Sequence, residues 1–394
     1  MIACDYVLRG KGDSDDLFYL SRDSGAKWKL VLTMPHFTDP SCAIGANGAL
    51  FAAGASNGAR STLGVMRSVD GGQKWLAARV PPLQYEIDRP YLTVEGEGPS
   101  AATVIVHAYR FARTPSPAAL FFVSHDDGRF FSPPIVEKAL EYPKPWYFVG
   151  NGAISPRGAY YGLFVELDNT KKNMSYRTDA ASAPSSPDAQ LELYCSDDLM
   201  KHIALAGVIQ GVYYDWRVGQ LSMPSLAVDA SGGPHRGRLY VAWPDARFRR
   251  HTSILLAYSD DSGKTWSKPQ VVAGRAERGA LNQEPNDFMP MVAVNRDGLV
   301  GVSWYDRSDS KDNLSYNVRF AASVDGGHTW LPSVRVSNSP YVSGSDTHYN
   351  GGDTAGLAAD AAGVFHLTWI ANPSGVPAMW TAAVRVHRIS ARAN

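Results

Sequence analysis

A short motif that recurs along the whole chain limits the possible folds more than any other feature. The pattern Ser-x-Asp-x-Gly-x-x-aromatic occurs five times, at residues 21–28, 68–75, 124–131, 259–266 and 323–330. A sixth, degenerate copy keeps Ser196 and Asp198 but lacks the glycine and the aromatic residue. Ser and Asp side chains bond the backbone amides of a tight turn, and glycine accepts a positive φ. Each copy therefore predicts a β-hairpin turn, and we call these segments the box turns.

Strand-like segments flank each box turn. An apolar run precedes it, as at residues 120–123 and 255–258, and a short strand follows it, as at 271–272. Upstream, a second hairpin predicts two further strands, as at residues 291–304 and 356–369. Each repeat thus predicts four strands, A to D, with the box turn between C and D. Four-stranded sheets repeated in this way are typical of an all-β propeller.

The spacing of the box turns predicts the number of blades. Successive aspartates of the motif, from Asp23 to Asp325, are 47 to 72 residues apart, with a mean of about 60. The closing stretch, from Asp325 through the C-terminus and on from Met1 to Asp23, holds 92 residues. One further blade needs about 60 residues and two need about 120. Six blades fit this stretch better, and seven are the alternative.

Composition excludes several classes of protein. The 394 residues carry 38 basic and 38 acidic side chains, which gives no reason to expect nucleic acid or an anionic membrane as a partner. No apolar run approaches the about 18 residues that span a bilayer. Three cysteines cannot make a disulfide framework, so the fold must depend on its core. We expect one propeller domain over residues 1–394, in which N-terminal strands around residues 17–20 close the ring with the C-terminal blade.

The strand order predicts at which end of its sheet each polar residue lies. If the C–D turns lie at one edge, the starts of strands A and the ends of strands B lie at the other and converge on a ligand site. Strand A starts supply Thr38, Asp39, Asp88, Arg89, Lys144, Trp146, Arg217, Asn286, Asp287, His348, Tyr349 and Asp353. Strand B ends supply Asn57, Arg110, Glu166, Asp168, Asp245, Arg247, Asp306 and Arg307. This mixture of charges and aromatic rings suits an anionic or carbohydrate ligand.

A purely structural interpretation of the same residues stays open. Asp245 with Arg247, and Asp306 with Arg307, follow tryptophans in matching positions and can be ion pairs between blades. Bracing explains Asp88, Arg89 and Asp353 as well as ligand contact does, and loop packing explains His348 and Tyr349. Asp13, Asp15 and Asp16 are interpreted as a solvated acidic turn, because the calcium-loop pattern is incomplete.

The box turns resemble those of the Asp-box (bacterial neuraminidase repeat) propellers of the sialidase superfamily, over nearly the whole chain. The resemblance implies an active site on the face opposite the box turns, with three arginines on the substrate carboxylate, a Tyr nucleophile with a Glu partner, and an Asp acid/base. On this comparison Arg247 matches the second arginine and Tyr349 the nucleophile. Three positions depart: Thr38 replaces the first arginine, residues 54–58 lack the acid/base Asp, and the blade-five start at residues 284–287 lacks the third arginine.

Two functions follow as hypotheses. The first is a sialidase-like exo-glycosidase acting on an acidic sugar, such as a sialoside or a related glycan; the second is a non-catalytic propeller that binds a glycan or a protein. The predicted catalytic residues are Asp287, Tyr349 and Asp353, and the predicted substrate-binding residues are Arg89, Arg110, Trp146, Arg217, Arg247 and Arg307. No phosphate loop, dinucleotide fingerprint or metal-ligand spacing is present, so we expect no cofactor and no metal. We expect an extracellular or periplasmic location.

Overall fold

The computed structural model describes residues 1–10, 13–56, 62–95, 101–110, 117–137, 146–167, 187, 189–213, 223–248, 251–272, 285–311, 315–341, 355–373 and 378–387. Within these ranges the regular elements are 26 β-strands in seven sheets. The described part of the chain contains no helix long and apolar enough to cross a membrane. The sheets are the blades of a β-propeller, which confirms the predicted all-β fold class, and seven blades replace the six that spacing favoured.

The first compact unit, Met1–Met174 with Asp188–Gly211, contains the first four sheets. Sheet 1 has three described strands, β1 (Ile2–Gly10), β2 (Asp13–Leu20) and β3 (Lys29–Pro35). Sheet 2 comprises β4 (Phe37–Ile44), β5 (Leu50–Ser56), β6 (Leu63–Ser68) and β7 (Leu76–Ala77). Sheet 3 comprises β8 (Ile87–Val94), β9 (Val104–Arg110), β10 (Ala118–Ser124) and β11 (Ile135–Glu137). Sheet 4 comprises β12 (Trp146–Ile154), β13 (Tyr160–Leu167), β14 (Ala189–Ser196) and β15 (Ala204–Val212).

The second compact unit, Ser175–Pro187 with Val212–Asn394, contains three sheets. Sheet 5 comprises β16 (Ser225–Val228), β17 (Leu239–Asp245), β18 (Ser253–Ser259) and β19 (Gln270–Val271). Sheet 6 comprises β20 (Asp287–Val294), β21 (Val300–Asp306), β22 (Asn317–Ser323) and β23 (Val334–Arg335). Sheet 7 has three described strands, β24 (Gly356–Ala359), β25 (Phe365–Ala371) and β26 (Ala378–Val384).

The blade count differs from the expectation because the closing stretch contains two separate sheets. Strands β24–β26 form sheet 7, and strands β1–β3 form sheet 1. Residues 17–20 lie in β2, which pairs with β1 on one side and with β3 on the other. The average spacing therefore underestimated the number of sheets, because sheets 1 and 7 each have only three described strands. The single domain with an N-terminal closure stays a prediction.

The core consists of apolar layers between neighbouring sheets. All seven residues of β10 are buried, and their side chains alternate between its two faces. Leu120 and Phe122 pack in a cluster with Phe51 of sheet 2, whereas Phe121 packs with Phe164 of sheet 4. A strand that is buried on both faces has a continuous run of apolar residues, and this explains why β10 is apolar throughout up to its last residue.

The box turns contain the hydrogen bonds predicted from their residue types. In the copy at residues 259–266, the Ser259 hydroxyl accepts the Gly263 N–H at 2.9 Å and donates to Asp261 at 2.8 Å. The same carboxylate accepts the Thr265 N–H at 2.8 Å, and Gly263 has a φ of 86°. In the degenerate copy, Met200 takes the glycine position with a φ of 66°. The turn is therefore defined by the Ser–Asp pair, and glycine only relieves strain.

Candidate functional site

Strand direction defines the edge at which ligand-binding residues were expected. In a sheet of antiparallel strands A to D, the start of A, the end of B and the start of C share the edge opposite the C–D turn. We call this end of the sheet, which is formed by strand termini and not by an outer strand, the site edge. In sheet 2 it carries Phe37 at the start of β4 and Ser56 at the end of β5, which are register partners. The predicted site residues that the structure describes lie at or next to this edge of their own sheets.

A β-bulge interrupts three of the first strands at the site edge. The register shifts after Thr38 in β4, after Asp88 in β8 and after Phe288 in β20. In each bulge the residue before a proline has a positive φ: 57° at Asp39, 51° at Arg89 and 51° at Met289. A residue before proline normally adopts an extended conformation, and positive φ strains any residue but glycine. Bulges of this kind redirect side chains and are frequent beside functional sites.

A mixed-charge cluster surrounds Tyr109 at the site edge of sheet 3. Asp88 and Tyr109 are register partners, and the Tyr109 hydroxyl donates a hydrogen bond to the Asp88 carboxylate. Burial, followed by the negative charge of Asp88, raises the pKa of Tyr109 well above its usual value; Arg89 opposes this shift and Asp39 adds to it. Tyr109 is buried, whereas Asp39, Asp88 and Arg89 are half-buried. The Tyr109 hydroxyl and the Asp88 carboxylate thus form a hydrogen-bonded pair, and Asp39 and Arg89 lie close enough to act on the phenol electrostatically.

Arg110 contacts a different set of residues from Tyr109. Its register partner is Ile87, and its guanidinium lies 5.1 Å from the centre of the Tyr85 ring. The side chain is buried, and this burial lowers its pKa. Successive residues of a strand point to opposite faces, so Arg110 and Tyr109 project from different faces of sheet 3. Arg110 packs against an aromatic ring, as a structural residue does.

Two carboxyl groups of sheet 1 are buried, contrary to the predicted solvated turn. Asp15 and Asp16 are 1% and 0% exposed. Asp15 forms an ion pair with Arg9 and accepts a hydrogen bond from the backbone N–H of His36 at 3.2 Å. Burial, then repulsion from Asp15 and Asp5, raises the pKa of Asp16 to about 8. Only Asp13 resembles the expectation, since it is half-exposed and lies 3.0 Å from the His36 ring nitrogen.

In the second unit, Asp245 and Arg247 form an ion pair at the end of β17. The Asp245 carboxylate accepts bonds from Arg247 Nε at 3.0 Å and Nη2 at 2.8 Å, and from the Arg247 N–H at 2.7 Å. It also accepts the Trp243 ring N–H at 2.9 Å. Arg247 lies over the Tyr213 ring. This geometry is the ion pair beside a tryptophan that the structural interpretation predicted, formed within one strand end rather than between blades.

Asp287 and Asp306 are neighbours at the site edge of sheet 6. They are register partners, and both are 0% exposed. Asp306 accepts bonds from the backbone N–H and the hydroxyl of Ser308, and Arg319 Nε lies 3.4 Å away. The Arg307 guanidinium is buried 4.7 Å from the Phe288 ring centre. Charged groups in this part of the site edge are therefore enclosed by protein.

Several predicted residues lie outside the described ranges. They include the proposed catalytic residues Tyr349 and Asp353 and the proposed substrate-binding residue Arg217, together with Asn57, Lys144, Asp168 and His348. Trp146 begins β12, but its side chain is not described. Among the described residues, no group of three or more His, Cys, Asp or Glu side chains is placed to hold a metal ion.

The sequence contains signals for two features of the cluster. Tyr109 directly precedes Arg110, so it shares the site edge of sheet 3 with that predicted substrate-binding residue. The bulges share a sequence pattern in which a proline is the fourth residue of the strand, as in Pro40, Pro90 and Pro290. That repetition identifies the bulges, because proline is tolerated in strands mainly at bulges and edges.

No protein-family model matches the chain, and no curated protein matches it. Solved structures do resemble it. A Hadza microbial sialidase has a TM-score of 0.52 at 15% identity, over 91% of this chain and 71% of that protein. An α-L-arabinofuranosidase from Fusarium graminearum has a TM-score of 0.52 at 14% identity, over 89% and 93%. A Dyadobacter fermentans protein of unknown function has a TM-score of 0.52 at 13% identity, over 88% and 94%. At these identities the likeness shows the fold.

Proposed function

We propose that the protein is a glycoside hydrolase that releases an acidic sugar, such as a sialoside or a related glycan. The observation that carries this proposal is the hydrogen bond between Tyr109 and the half-buried Asp88, with the half-buried Asp39 and Arg89 close enough to act on the same phenol electrostatically. These residues combine a cation for a sugar carboxylate with two carboxyl groups for proton transfer. Two of the three similar structures described above are named as enzymes that act on glycosides, which supports the same class of reaction.

Each side chain of the cluster has a role in the proposed reaction. Arg89 binds the substrate carboxylate, because a guanidinium matches a carboxylate with two parallel hydrogen bonds. Asp88 accepts the hydroxyl proton of Tyr109 while the phenolic oxygen bonds to the anomeric carbon, a nucleophile that sialidases use. Asp39 donates a proton to the leaving oxygen as the glycosidic bond breaks. Water then attacks the anomeric carbon and gives one proton to Asp39, while the released tyrosyl oxygen takes its proton back from Asp88.

The strand-order argument, together with the resemblance of Arg247 and Tyr349 to sialidase positions, gives a second candidate centre in the other compact unit. There, Asp287 and the two residues outside the described ranges, Tyr349 and Asp353, are the catalytic candidates, with Arg247 and Arg307 as ligands of the acidic group. The two centres make different predictions for the same assay. We therefore treat them as competing versions of one proposed function.

A panel of sialosides and uronic-acid glycosides tests the proposal. Turnover that falls at least about 100-fold in Asp88→Asn and Tyr109→Phe, and survives in Asp287→Asn and Tyr349→Phe, assigns the first centre. The reverse pattern assigns the second. Absence of turnover on every glycoside by the wild-type protein contradicts the proposed function.

Non-catalytic glycan binding is the second candidate function. The enclosed charges of the second unit argue against a catalytic centre there, because Asp245 neutralises Arg247 and both Asp287 and Asp306 are inaccessible to solvent. Catalytic carboxyl groups must touch substrate. A glycan array followed by calorimetry tests this function, and saturable binding without any turnover supports it. Either function is compatible with the extracellular or periplasmic location that we propose.

A further inference from the structure

Two of the three cysteines meet between sheets 1 and 2. Cys4 lies in β1 and Cys42 lies in β4, 38 positions apart in the sequence. Their Sγ atoms are 2.7 Å apart, and β1 packs beside β4. A disulfide has an S–S bond of about 2.05 Å. The two sulfurs therefore need to approach by less than 1 Å to form that bond.

The surroundings of the two thiols do not suggest another use for them. Both side chains pack on an apolar cluster that contains Phe18, Met34 and Ala52. Within the described ranges, neither sulfur belongs to a group of side chains placed to hold a metal ion. The third cysteine, Cys195, lies in β14 of sheet 4, where burial raises the pKa of its thiol. Cys4 and Cys42 are thus the pair that geometry selects from the three.

We propose that Cys4 and Cys42 form a disulfide that links sheet 1 covalently to sheet 2. The oxidant is a small-molecule disulfide. One cysteine thiolate attacks a sulfur of this oxidant and releases one small thiol; the second cysteine thiolate then attacks the mixed disulfide and releases another. Two protein thiols are oxidised, one small disulfide is reduced to two thiols, and the two cysteine protons end on the released thiols.

The environment of Cys4 sets how fast the bond forms. The hydrogen bond with Cys42, then burial, raises the pKa of the Cys4 thiol well above its usual value. Because the thiolate is the reactive species, exchange in the folded protein is slow at neutral pH and faster at alkaline pH. Oxidation during folding avoids this barrier, since Cys4 is then exposed. Such a bond persists in an oxidising compartment, in agreement with the proposed extracellular or periplasmic location.

The test is a thiol count on the full chain. The protein is refolded with an excess of oxidised glutathione, denatured without reductant and labelled with a maleimide, and its intact mass is measured. We expect one labelled thiol instead of three, a mass lower by two hydrogens before labelling, and a linked peptide pair containing Cys4 and Cys42. Three labelled thiols, or glutathione retained on Cys4 or Cys42, would overturn the proposal.

Two variants separate this bond from other pairings. Cys195→Ser is the matched control, and we expect it to have no labelled thiol after oxidation. Cys42→Ser is expected to retain reactive Cys4 and Cys195, and to lose the dependence of the unfolding temperature on reductant. In the wild-type protein, reductant should lower the unfolding temperature. If the linked peptides instead contain Cys195, the assignment of the pair is wrong.

Discussion

The hydroxyl of Tyr109 donates a hydrogen bond to the carboxylate of Asp88 across strands β8 and β9. The two residues are directly opposite in the register, so their side chains leave the same face of the sheet. The β8 bulge begins immediately after Asp88 and places Arg89 in a left-handed conformation. A regular hydrogen-bonded pair and a strained cation therefore lie in consecutive positions. This arrangement places an acid, a phenol and a guanidinium on two adjacent strands.

Removal of the Tyr109 hydroxyl should affect catalysis more than folding. We expect Tyr109→Phe to lower kcat/KM at least about 100-fold, since the variant loses both the nucleophile and the proton donor to Asp88. Steady-state kinetics on the best substrate of the glycoside panel measures the effect. Tyr85→Phe is the matched control, because its ring contacts Arg110 and not Asp88. Equal losses in both variants would show that the effect is structural.

Relief of backbone strain should stabilise the protein at the cost of ligand binding. Arg89 has a φ of 51°, and the left-handed conformation costs a residue with a Cβ about 1–2 kcal/mol. We expect Arg89→Gly to unfold at a higher urea concentration than Arg89→Ala, by about 1 kcal/mol in free energy, because both variants lose the guanidinium but only glycine relieves the strain. Both variants should bind acidic sugars more weakly than the wild type. An alanine variant as stable as the glycine variant would show that this position is unstrained.

The buried Asp16 carboxyl predicts how stability changes with pH. Its pKa is about 8 in the folded protein against about 3.9 in an unfolded chain, so the folded state binds more protons between these values. The free energy of unfolding must therefore fall as the pH rises from about 4 to 8, by about 1.4 kcal/mol per unit of pKa shift at most. We expect Asp16→Asn to match the wild type near pH 4 and to exceed its stability at pH 9.

Urea unfolding at several pH values measures this difference. Asp297→Asn is the control, since the side chain of Asp297 is largely exposed, and it should follow the wild-type curve. Asp5 acts in the same direction, because burial raises its pKa to about 6. A wild-type protein whose stability rises between pH 6 and 9 would contradict the assignment.

Local features of the fold were predictable from the sequence. The number of sheets and the burial of residues between neighbouring sheets were not. The box turns depend on hydrogen bonds within a few residues, so five copies in register predicted them correctly. The blade count depended on an average spacing, which fails where sheets 1 and 7 have three described strands each. The burial of Asp15 and Asp16 was also missed, because an acidic segment looks solvated unless the neighbouring sheet is known.

The same distinction applies to the candidate site. Strand order correctly indicated which end of each strand would carry Asp88, Arg89 and Asp287, because antiparallel pairing fixes that end. It did not indicate accessibility, and Asp287 is enclosed whereas Arg89 is half-exposed. Nor did it predict the Tyr109–Asp88 pair, since cross-strand register depends on where the β8 bulge starts. Residue charge and motif spacing predict which end of a sheet carries the site residues. The cross-strand register determines which of those residues contact each other.

The box turns should contribute to stability independently of the site edge. Ser323 is fully buried; its hydroxyl accepts the Gly327 N–H and donates to Asp325, both at 2.8 Å. We expect Ser323→Ala to lower the free energy of unfolding by about 1–3 kcal/mol, because the substitution leaves a buried N–H without an acceptor. Urea unfolding provides the measurement, with Ser339→Ala as a control whose hydroxyl has only a 3.4 Å contact with Asn338. Because Ser323 lies at the opposite end of its sheet from the site edge, glycoside turnover per folded molecule should not change. A loss of turnover without a loss of stability would mean that the box-turn edge takes part in ligand binding.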